Sequence, residues 1–216
     1  MSEAEIIRSV MIWAVPVLLA ITVHEAAHGY VARYFGDPTA EQAGRISLDP
    51  FRHIDPVGTV LVPLGIFVFS SMTGNPWTFG WAKPVPVNFN RLRNPKSDML
   101  WVAAAGPLAN LAMAVVWAMI YALIVRKVPQ VYVSMALAGM IINGSLLFLN
   151  LLPIPPLDGG RITFSLLPDR LAWKYARIER FGFPILLVLI ATGALGAILG
   201  PLLNGFLLGL MKMVGH

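Results

Sequence analysis

The chain has 216 residues, of which 57% are hydrophobic and only 12% are charged, and its mean hydropathy is +0.71. Soluble domains typically have about 25% charged and 45–50% apolar residues, so this composition excludes an ordinary soluble protein and predicts a polytopic membrane protein. The chain has no cysteine, which excludes disulfides, Cys-ligated zinc and iron–sulfur clusters. The net charge of +5 indicates cytoplasmic loops rather than a nucleic-acid partner.

Four long apolar runs predict transmembrane helices, because a bilayer core of roughly 30 Å requires about 20 apolar residues in a helix. The runs are 10–32, 100–125, 131–152 and 181–211. The fourth run contains Pro184, Pro201 and Asn204. We therefore expect either one tilted helix there or a helix with a partial return.

Two shorter features lie between the first and second runs. Residues 57–70 are apolar but too short to span as an untilted helix, so they predict a re-entrant or short membrane segment. Residues 44–48 predict a short strand that ends at Asp49-Pro50. The predicted fold class is an all-α polytopic membrane protein with about four transmembrane helices, this short membrane segment and a small β element after the first helix.

The distribution of Lys and Arg predicts the orientation. If residues 57–70 return to the side they entered from, residues 33–96 and 161–180 share one side and hold twelve Lys/Arg, against four on the other. If they cross, the division is ten against six. The positive-inside rule favours the first layout, with an external N-terminus in the cell (inner) membrane and the ends of the first and third spans in the cytoplasm.

The first run contains His24-Glu25-Ala26-Ala27-His28, an H-E-x-x-H pattern on a predicted helix. Residues four apart share a helical face, so both imidazoles can bind one metal ion, and Glu25 can reach water beside it. Glu25 is the only acid in the four runs. Because an ionisable residue in a membrane helix costs roughly 2.5–3.5 kcal/mol, these three polar neighbours indicate a compensating metal rather than a hydrogen-bonded polar cluster.

A catalytic zinc ion needs a third protein ligand, which must be a carboxylate or another histidine in a chain without cysteine. The best candidate is Asp158, after the third run, although Asp158-Gly159-Gly160 is equally typical of a turn. His53 and Asp55 offer a rival non-haem iron site, but Asp55-Pro56 and Asp49-Pro50 favour repeated turn chemistry.

Three motifs in this order resemble the site-2 protease family of intramembrane zinc metalloproteases. The first is the H-E-x-x-H pattern at residues 24–28, and the second is Ala-Gly-Pro-Leu-Ala-Asn at residues 105–110. The third is the segment 150–160, which contains Pro-Pro-Leu-Asp-Gly-Gly. The similarity covers roughly 10–165, and residues 44–56 resemble the compact prokaryotic branch without PDZ or CBS modules. The resemblance implies a single membrane domain over 1–216, with a catalytic core at about 10–165 and a C-terminal membrane segment at about 181–211.

The resemblance also implies roles for individual residues. His24, His28 and Asp158 would bind Zn²⁺, Glu25 would be the general base, and Asn150 would hold the substrate backbone or stabilise the oxyanion. The expected reaction is hydrolysis of peptide bonds in transmembrane proteins or signal-peptide remnants. The alternative is a non-proteolytic membrane protein that binds or transports a metal.

Some other residues favour structural roles. Gly106, Pro107 and Asn110 favour close packing and hydrogen bonding between helices over direct catalysis. The tryptophans Trp77, Trp81, Trp101 and Trp173 are typical of anchors at the membrane interface.

Overall fold

A computed structural model describes residues 3–62, 64–66, 80 and 83–215, and the regular structure of these residues is helical throughout. The first helices along the chain are α1 (Glu3–Tyr34), α2 (Thr39–Gln42), α3 (Pro95–Ile124) and α4 (Gln130–Asn150). They are followed by α5 (Asp158–Leu166), α6 (Asp169–Ala176), α7 (Glu179–Ala191) and α8 (Ala194–Met213). Short 3-10 turns occupy Pro50–His53 and Phe89–Arg91, and a π-helical turn occupies Pro56–Leu61.

The centre of the molecule is a bundle of α1, α3 and α4, in which each helix packs against the other two. Helix α5 packs on α3, and α8 packs on the outer side of α4. Small residues permit these close approaches: a Cβ atom on Gly139 of α4 would lie 2.3 Å from the Trp117 ring of α3. The α3–α4–α8 contact is a core of alanines, Trp117, Met140 and Leu210.

Among the described residues, four helices are long and apolar enough to span a membrane, as predicted. They are Ile7–Tyr34 within α1, then α3, α4 and α8. The fourth predicted run is nevertheless two helices, because the chain turns at Gly193, whose φ of +75° is readily adopted only by glycine. Helix α7 therefore ends at Ala191, and the candidate span is α8 alone.

The predicted β element is wrong: residues 44–48 form turns and irregular chain, and none of the described residues is in a strand. Their polar groups bond locally, since the Arg45 N–H donates to the Ala40 carbonyl (2.8 Å) and the Ser47 carbonyl lies 2.9 Å from Nε2 of His53. Gly44 has φ +65°, a turn conformation that interrupts an extended run. These local bonds replace a strand ladder.

The predicted re-entrant segment falls partly outside the described residues, at 63 and 67–70. Its described part starts with the π-helical turn Pro56–Leu61, where Asp55 accepts hydrogen bonds from the N–H groups of Val57 and Gly58. This part gives no support to a re-entrant segment.

Residues 83–88 form an irregular segment beside α1, with Lys83 hydrogen-bonded to His53 at one end and Asn88 hydrogen-bonded to Asp37, just after α1, at the other. The Lys83 N–H donates to the His53 carbonyl (2.9 Å), and the Asn88 N–H donates to the buried carboxylate of Asp37 (2.6 Å). These two attachments place Val85 and Val87 beside the helical turn that carries His24 and His28.

Candidate metal centre and active site

The two histidines of the H-E-x-x-H pattern meet inside the bundle. His24 and His28 are buried on one face of α1, and their Nε2 atoms lie 3.1 Å apart. Their rings are nearly perpendicular, with centroids 4.7 Å apart. The i, i+4 spacing therefore brings one nitrogen from each ring to a common point, as predicted.

The second nitrogen of each ring faces a carbonyl oxygen. Nδ1 of His24 lies 2.6 Å from Oδ1 of Asn110, and Nδ1 of His28 lies 2.7 Å from the Val102 carbonyl. Carbonyl oxygens only accept hydrogen bonds, so each Nδ1 carries the proton and each neutral ring presents a lone pair at Nε2. This is the tautomer that binds a metal through Nε2.

The amide of Asn110 is itself fixed in orientation. Its Nδ2 donates to the Ala20 carbonyl (3.3 Å) and to Oδ1 of Asn143 (3.0 Å), which leaves Oδ1 turned toward His24. Asn143 in turn donates to the Gly139 carbonyl (2.8 Å). Both asparagines are fully buried, so a chain of hydrogen bonds through α3 and α4 holds one imidazole of α1.

Asp158 reaches the same point from the first turn of α5. Its Oδ2 atom lies 3.3 Å from Nε2 of both histidines. The two glycines that follow it allow the tight approach: a Cβ on Gly159 would lie 2.3 Å from the Leu152 carbonyl oxygen, and one on Gly160 would lie 2.6 Å from the Pro155 nitrogen. The glycines of Asp-Gly-Gly therefore let this helix start close against the preceding backbone, which places the Asp158 carboxylate beside the two histidines.

The charge of Asp158 follows from its surroundings. Burial raises the pKa of the carboxyl, but without a metal the two imidazoles can also carry a proton on Nε2, and in that form their hydrogen bonds and charge hold the pKa below its usual value. A metal ion bound by the neutral rings would supply the positive charge in place of those protons. The group is a carboxylate at neutral pH, and its Oδ2 has no hydrogen-bond donor among the described residues.

These three atoms fit a zinc ion. With bonds of about 2.0–2.2 Å, a tetrahedral ion separates its ligand atoms by about 3.3–3.6 Å, and the separations here are 3.1, 3.3 and 3.3 Å. Two lone pairs and a carboxylate oxygen that converge in a buried place repel one another unless a cation lies between them. Gly106 of α3 leaves room for them, because a Cβ there would lie 2.4 Å from Nε2 of His28.

Glu25 and Asn150 lie at the same place. A cavity of ≈ 130 Å³, here called the catalytic cavity, is lined by the three metal-site residues, Glu25 and Asn150, with Arg161 also in its wall. Oε2 of Glu25 accepts a hydrogen bond from the Val85 N–H (2.8 Å), and Asn150 is the last residue of α4. All five predicted site residues therefore lie around one cavity.

Sequence reasoning missed part of this arrangement. Asn143 was not singled out, although a buried asparagine in an apolar run is a signal of an internal polar partner. The predicted hydrogen bonding of Asn110 between helices is confirmed, but the sequence does not indicate that one of its partners is His24. No sequence signal identifies the Val102 carbonyl or the Val85 N–H, because both are backbone groups.

The rival iron site is not formed by the described residues. Nε2 of His53 lies 2.9 Å from the Ser47 carbonyl, and Asp55 accepts hydrogen bonds from the N–H groups of the π-helical turn. Asp49 caps the preceding 3-10 turn in the same way, through the Phe51 N–H (3.1 Å). Within the described ranges, the one group of three metal-binding side chains is His24, His28 and Asp158.

The fold and this site are those expected of a multi-pass membrane protein in which two histidines and one carboxylate are placed to hold a metal ion beside a glutamate. Residues 12–134 and 126–192 match the family described as "Peptidase family M50". The chain therefore belongs to Peptidase family M50, and the predicted site-2-type metalloprotease class is confirmed.

The curated proteins that are similar to this chain have names consistent with a metalloprotease family. The "Putative zinc metalloprotease YwhC" of Bacillus subtilis is 34% identical over 197 residues, which cover 88% of this chain and 84% of the relative. The "Putative zinc metalloprotease Rip2" of Mycolicibacterium smegmatis is 31% identical, over 82% of this chain and 66% of the relative. The "Putative zinc metalloprotease Rip2" of Mycobacterium tuberculosis is 29% identical, over 90% of this chain and 69% of the relative. No solved structure matches the chain significantly.

Proposed function

We propose that this protein is an intramembrane zinc metalloprotease that hydrolyses peptide bonds in the transmembrane segments of membrane proteins or in signal-peptide remnants. The observation that carries the proposal is the convergence of Nε2 of His24, Nε2 of His28 and Oδ2 of Asp158 within 3.1–3.3 Å of one another, beside Glu25 in a cavity among membrane helices. The names of the relatives support zinc as the metal.

The metal ligands in this proposal are His24, His28 and Asp158, which leave a fourth position open for the reaction. Zinc bound there supplies a Lewis acid that polarises a carbonyl oxygen and acidifies water. The chain's own contribution is to keep both imidazoles neutral and turned inward, through Asn110 and the Val102 carbonyl.

Glu25 is the proposed general base. Its carboxylate is half-buried at the catalytic cavity and is held there by the Val85 N–H. A positioned carboxylate takes a proton from the attacking water and later gives it to the departing amine. A site that only bound or transported a metal would have no use for this residue.

Asn150 is the proposed donor to the substrate. Its amide is at the end of α4 and faces the same cavity as Glu25. Amide N–H groups in such a position stabilise the negative charge that develops on the scissile carbonyl oxygen. They also bind a substrate backbone carbonyl before the reaction.

The proposal includes a single membrane domain over 1–216, with a catalytic core at about 10–165 and a C-terminal membrane segment at about 181–211. The substrate is a transmembrane protein or peptide in the lipid bilayer. A helical substrate satisfies its own backbone groups, so it must unwind locally before one peptide bond reaches Glu25. The excess of Lys and Arg at 33–96 and 161–180 favours the cell (inner) membrane, with the site toward its cytoplasmic half.

The test is Glu25→Gln, assayed in detergent micelles on a single-span test protein, with zinc measured in the same preparation. We expect the variant to keep one zinc ion per chain and to lose cleavage, because the amide cannot accept the proton. The control is Glu41→Gln, which removes an exposed ion pair with Arg33 (3.0 Å) and leaves both zinc and cleavage unchanged. Cleavage at the wild-type rate by Glu25→Gln would overturn the proposed mechanism.

A further inference from the structure

A second cavity, of ≈ 280 Å³, opens beside the catalytic cavity, and we call it the aromatic pocket. Three residues line both cavities: Val87, Pro156 and Arg161. The two spaces are therefore neighbours along one continuous surface. A peptide bound at the catalytic cavity has this pocket within reach of an adjacent side chain.

One side of the pocket is a row of aromatic rings, and the charged side chains of Arg161 and Glu179 also line it. The rings of Phe89 and Phe164 meet edge to face with centroids 6.2 Å apart, and those of Phe164 and Trp173 do so at 6.3 Å. Tyr175 also lines the pocket, and its hydroxyl donates to the Pro153 carbonyl (2.9 Å), which fixes the ring. Edge-to-face rows of this kind accept a further ring with favourable geometry.

Trp173 is the unusual member of this row. It is 70% exposed although it contacts Phe164 and lines the pocket. Its exposed ring extends the aromatic side of the pocket to the surface of the protein, where an incoming side chain can contact it. The sequence-based interpretation as an interfacial anchor does not account for its place in this wall.

We propose that the aromatic pocket binds a bulky apolar side chain, preferentially an aromatic one, from a residue close to the scissile bond of the peptide substrate. This inference rests on the proposed proteolytic function and names the substrate feature that the enzyme selects. The volume is compatible with it, since a space of ≈ 280 Å³ lies at the lower end of the range of small-molecule sites, about 300–1,000 Å³, and accommodates one large side chain.

The pocket is also coupled to the metal site through α5. This helix begins with Asp158, and Arg161 and Phe164 follow within its next two turns. Lys96 of α3 anchors the far end of α5 by donating to the Leu167 carbonyl (2.5 Å) and to Asp169 (2.6 Å). A side chain seated against Phe164 therefore contacts the helix that presents the carboxylate ligand.

The experiment uses the full-length enzyme and a single-span test protein whose cleavage position in the wild-type reaction is mapped by mass spectrometry. Each residue flanking that bond is replaced in turn by Phe and by Ala, and kcat/KM is measured for every substrate. We expect the wild type to prefer Phe over Ala at one flanking position. Trp173→Ala should reduce that preference by about tenfold, with little change for the Ala substrate.

A second variant, Ala176→Phe, tests the same point by filling the pocket, which Ala176 lines. It too should lose the preference for Phe while still cleaving the Ala substrate. Trp101→Ala is the matched control, because Trp101 is an exposed tryptophan (55%) on α3 that lines neither cavity. It should keep the wild-type preference.

The outcomes separate this inference from the function on which it rests. If the wild type cleaves but shows no preference, or if both pocket variants slow all substrates equally, the pocket does not bind a substrate side chain. The second result would instead fit a lipid acyl chain in the pocket. If the wild type with zinc bound cleaves no membrane substrate, the proposed function itself is overturned.

Discussion

Nδ1 of His24 lies 2.6 Å from the side-chain oxygen of Asn110, whereas the corresponding atom of His28 faces a backbone carbonyl. The two imidazoles are thus held in the same tautomer by different means. A side-chain substitution can remove the support of His24, but none can remove the carbonyl of Val102. This asymmetry makes the role of Asn110 open to direct measurement.

Asn110→Ala should weaken zinc binding by about 10- to 100-fold, because the buried Nδ1–H of His24 loses its acceptor and the ring is free to turn. Competition with a chromophoric chelator on the purified protein measures this change. Asn143→Ala is the graded control: Asn143 contacts Asn110 but has no hydrogen bond to either imidazole, so we expect a smaller loss. Equal zinc affinity in Asn110→Ala and wild type would contradict the assigned role.

Gly106→Ala should abolish zinc binding while the helices remain folded. The added Cβ would lie 2.4 Å from Nε2 of His28 and 2.5 Å from Cε1 of His24, so the rings must leave the positions that face Asp158. Gly205→Ala, on α8 with nothing within 4 Å of its added Cβ, is the control and should keep zinc and activity. Zinc content by atomic emission and helicity by circular dichroism decide the result. Full zinc occupancy in Gly106→Ala would show that the rings accommodate the methyl group.

The parts of the site that the sequence predicts are those in which short spacing fixes geometry. His24, Glu25 and His28 lie within two turns of one helix, so their relation follows from helical periodicity alone. Asp158 lies 130 residues after His28 in the sequence, and its place depends on how α5 packs on α3. The residues alone make Asp158 the best candidate for a third ligand but leave a turn equally typical. The family resemblance favours the ligand role and is the only ground for the role of Asn150, because it carries information about packing that spacing lacks.

The errors in the predicted fold have local causes. Hydropathy detects apolar length but not the position of a break such as Gly193, so the run 181–211 predicts either one tilted helix or a helix with a partial return, and it forms α7 and α8. Residues 44–48 have the composition of a strand, but strand formation requires a partner, and local turns satisfy their backbone groups instead. The aromatic pocket joins residues 89, 164 and 173, which only the tertiary packing brings together.

Zinc should stabilise the folded protein through Asp158. A ligand that binds only the folded state adds about 2.7 kcal/mol at a free concentration one hundred times its Kd, so adding zinc to the chelator-treated protein should raise Tm. Asp158→Asn should reduce this rise, because a neutral amide replaces the carboxylate that faces both imidazoles. Asp169→Asn is the matched control, since Asp169 is an exposed carboxylate paired only with Lys96 in the described part of the chain. A rise in Asp158→Asn equal to that of wild type would remove Asp158 from the ligand set.

Cysteine labelling should place both ends of the segment between α1 and α3 on the cytoplasmic side. The chain has no cysteine, so single replacements at Gln42, Pro95 and Lys127 can be labelled without background. The same-side layout gives twelve Lys/Arg inside and four outside, so we expect an impermeant maleimide to reach positions 42 and 95 only in inverted vesicles and position 127 in intact cells. His28 lies six residues before the end of α1 at Tyr34, or about 9 Å along the axis, so this orientation places the metal site in the cytoplasmic half. Labelling of position 42 in intact cells, with position 95 labelled only in inverted vesicles, would require the chain to cross the membrane between α1 and α3 and would overturn the same-side layout.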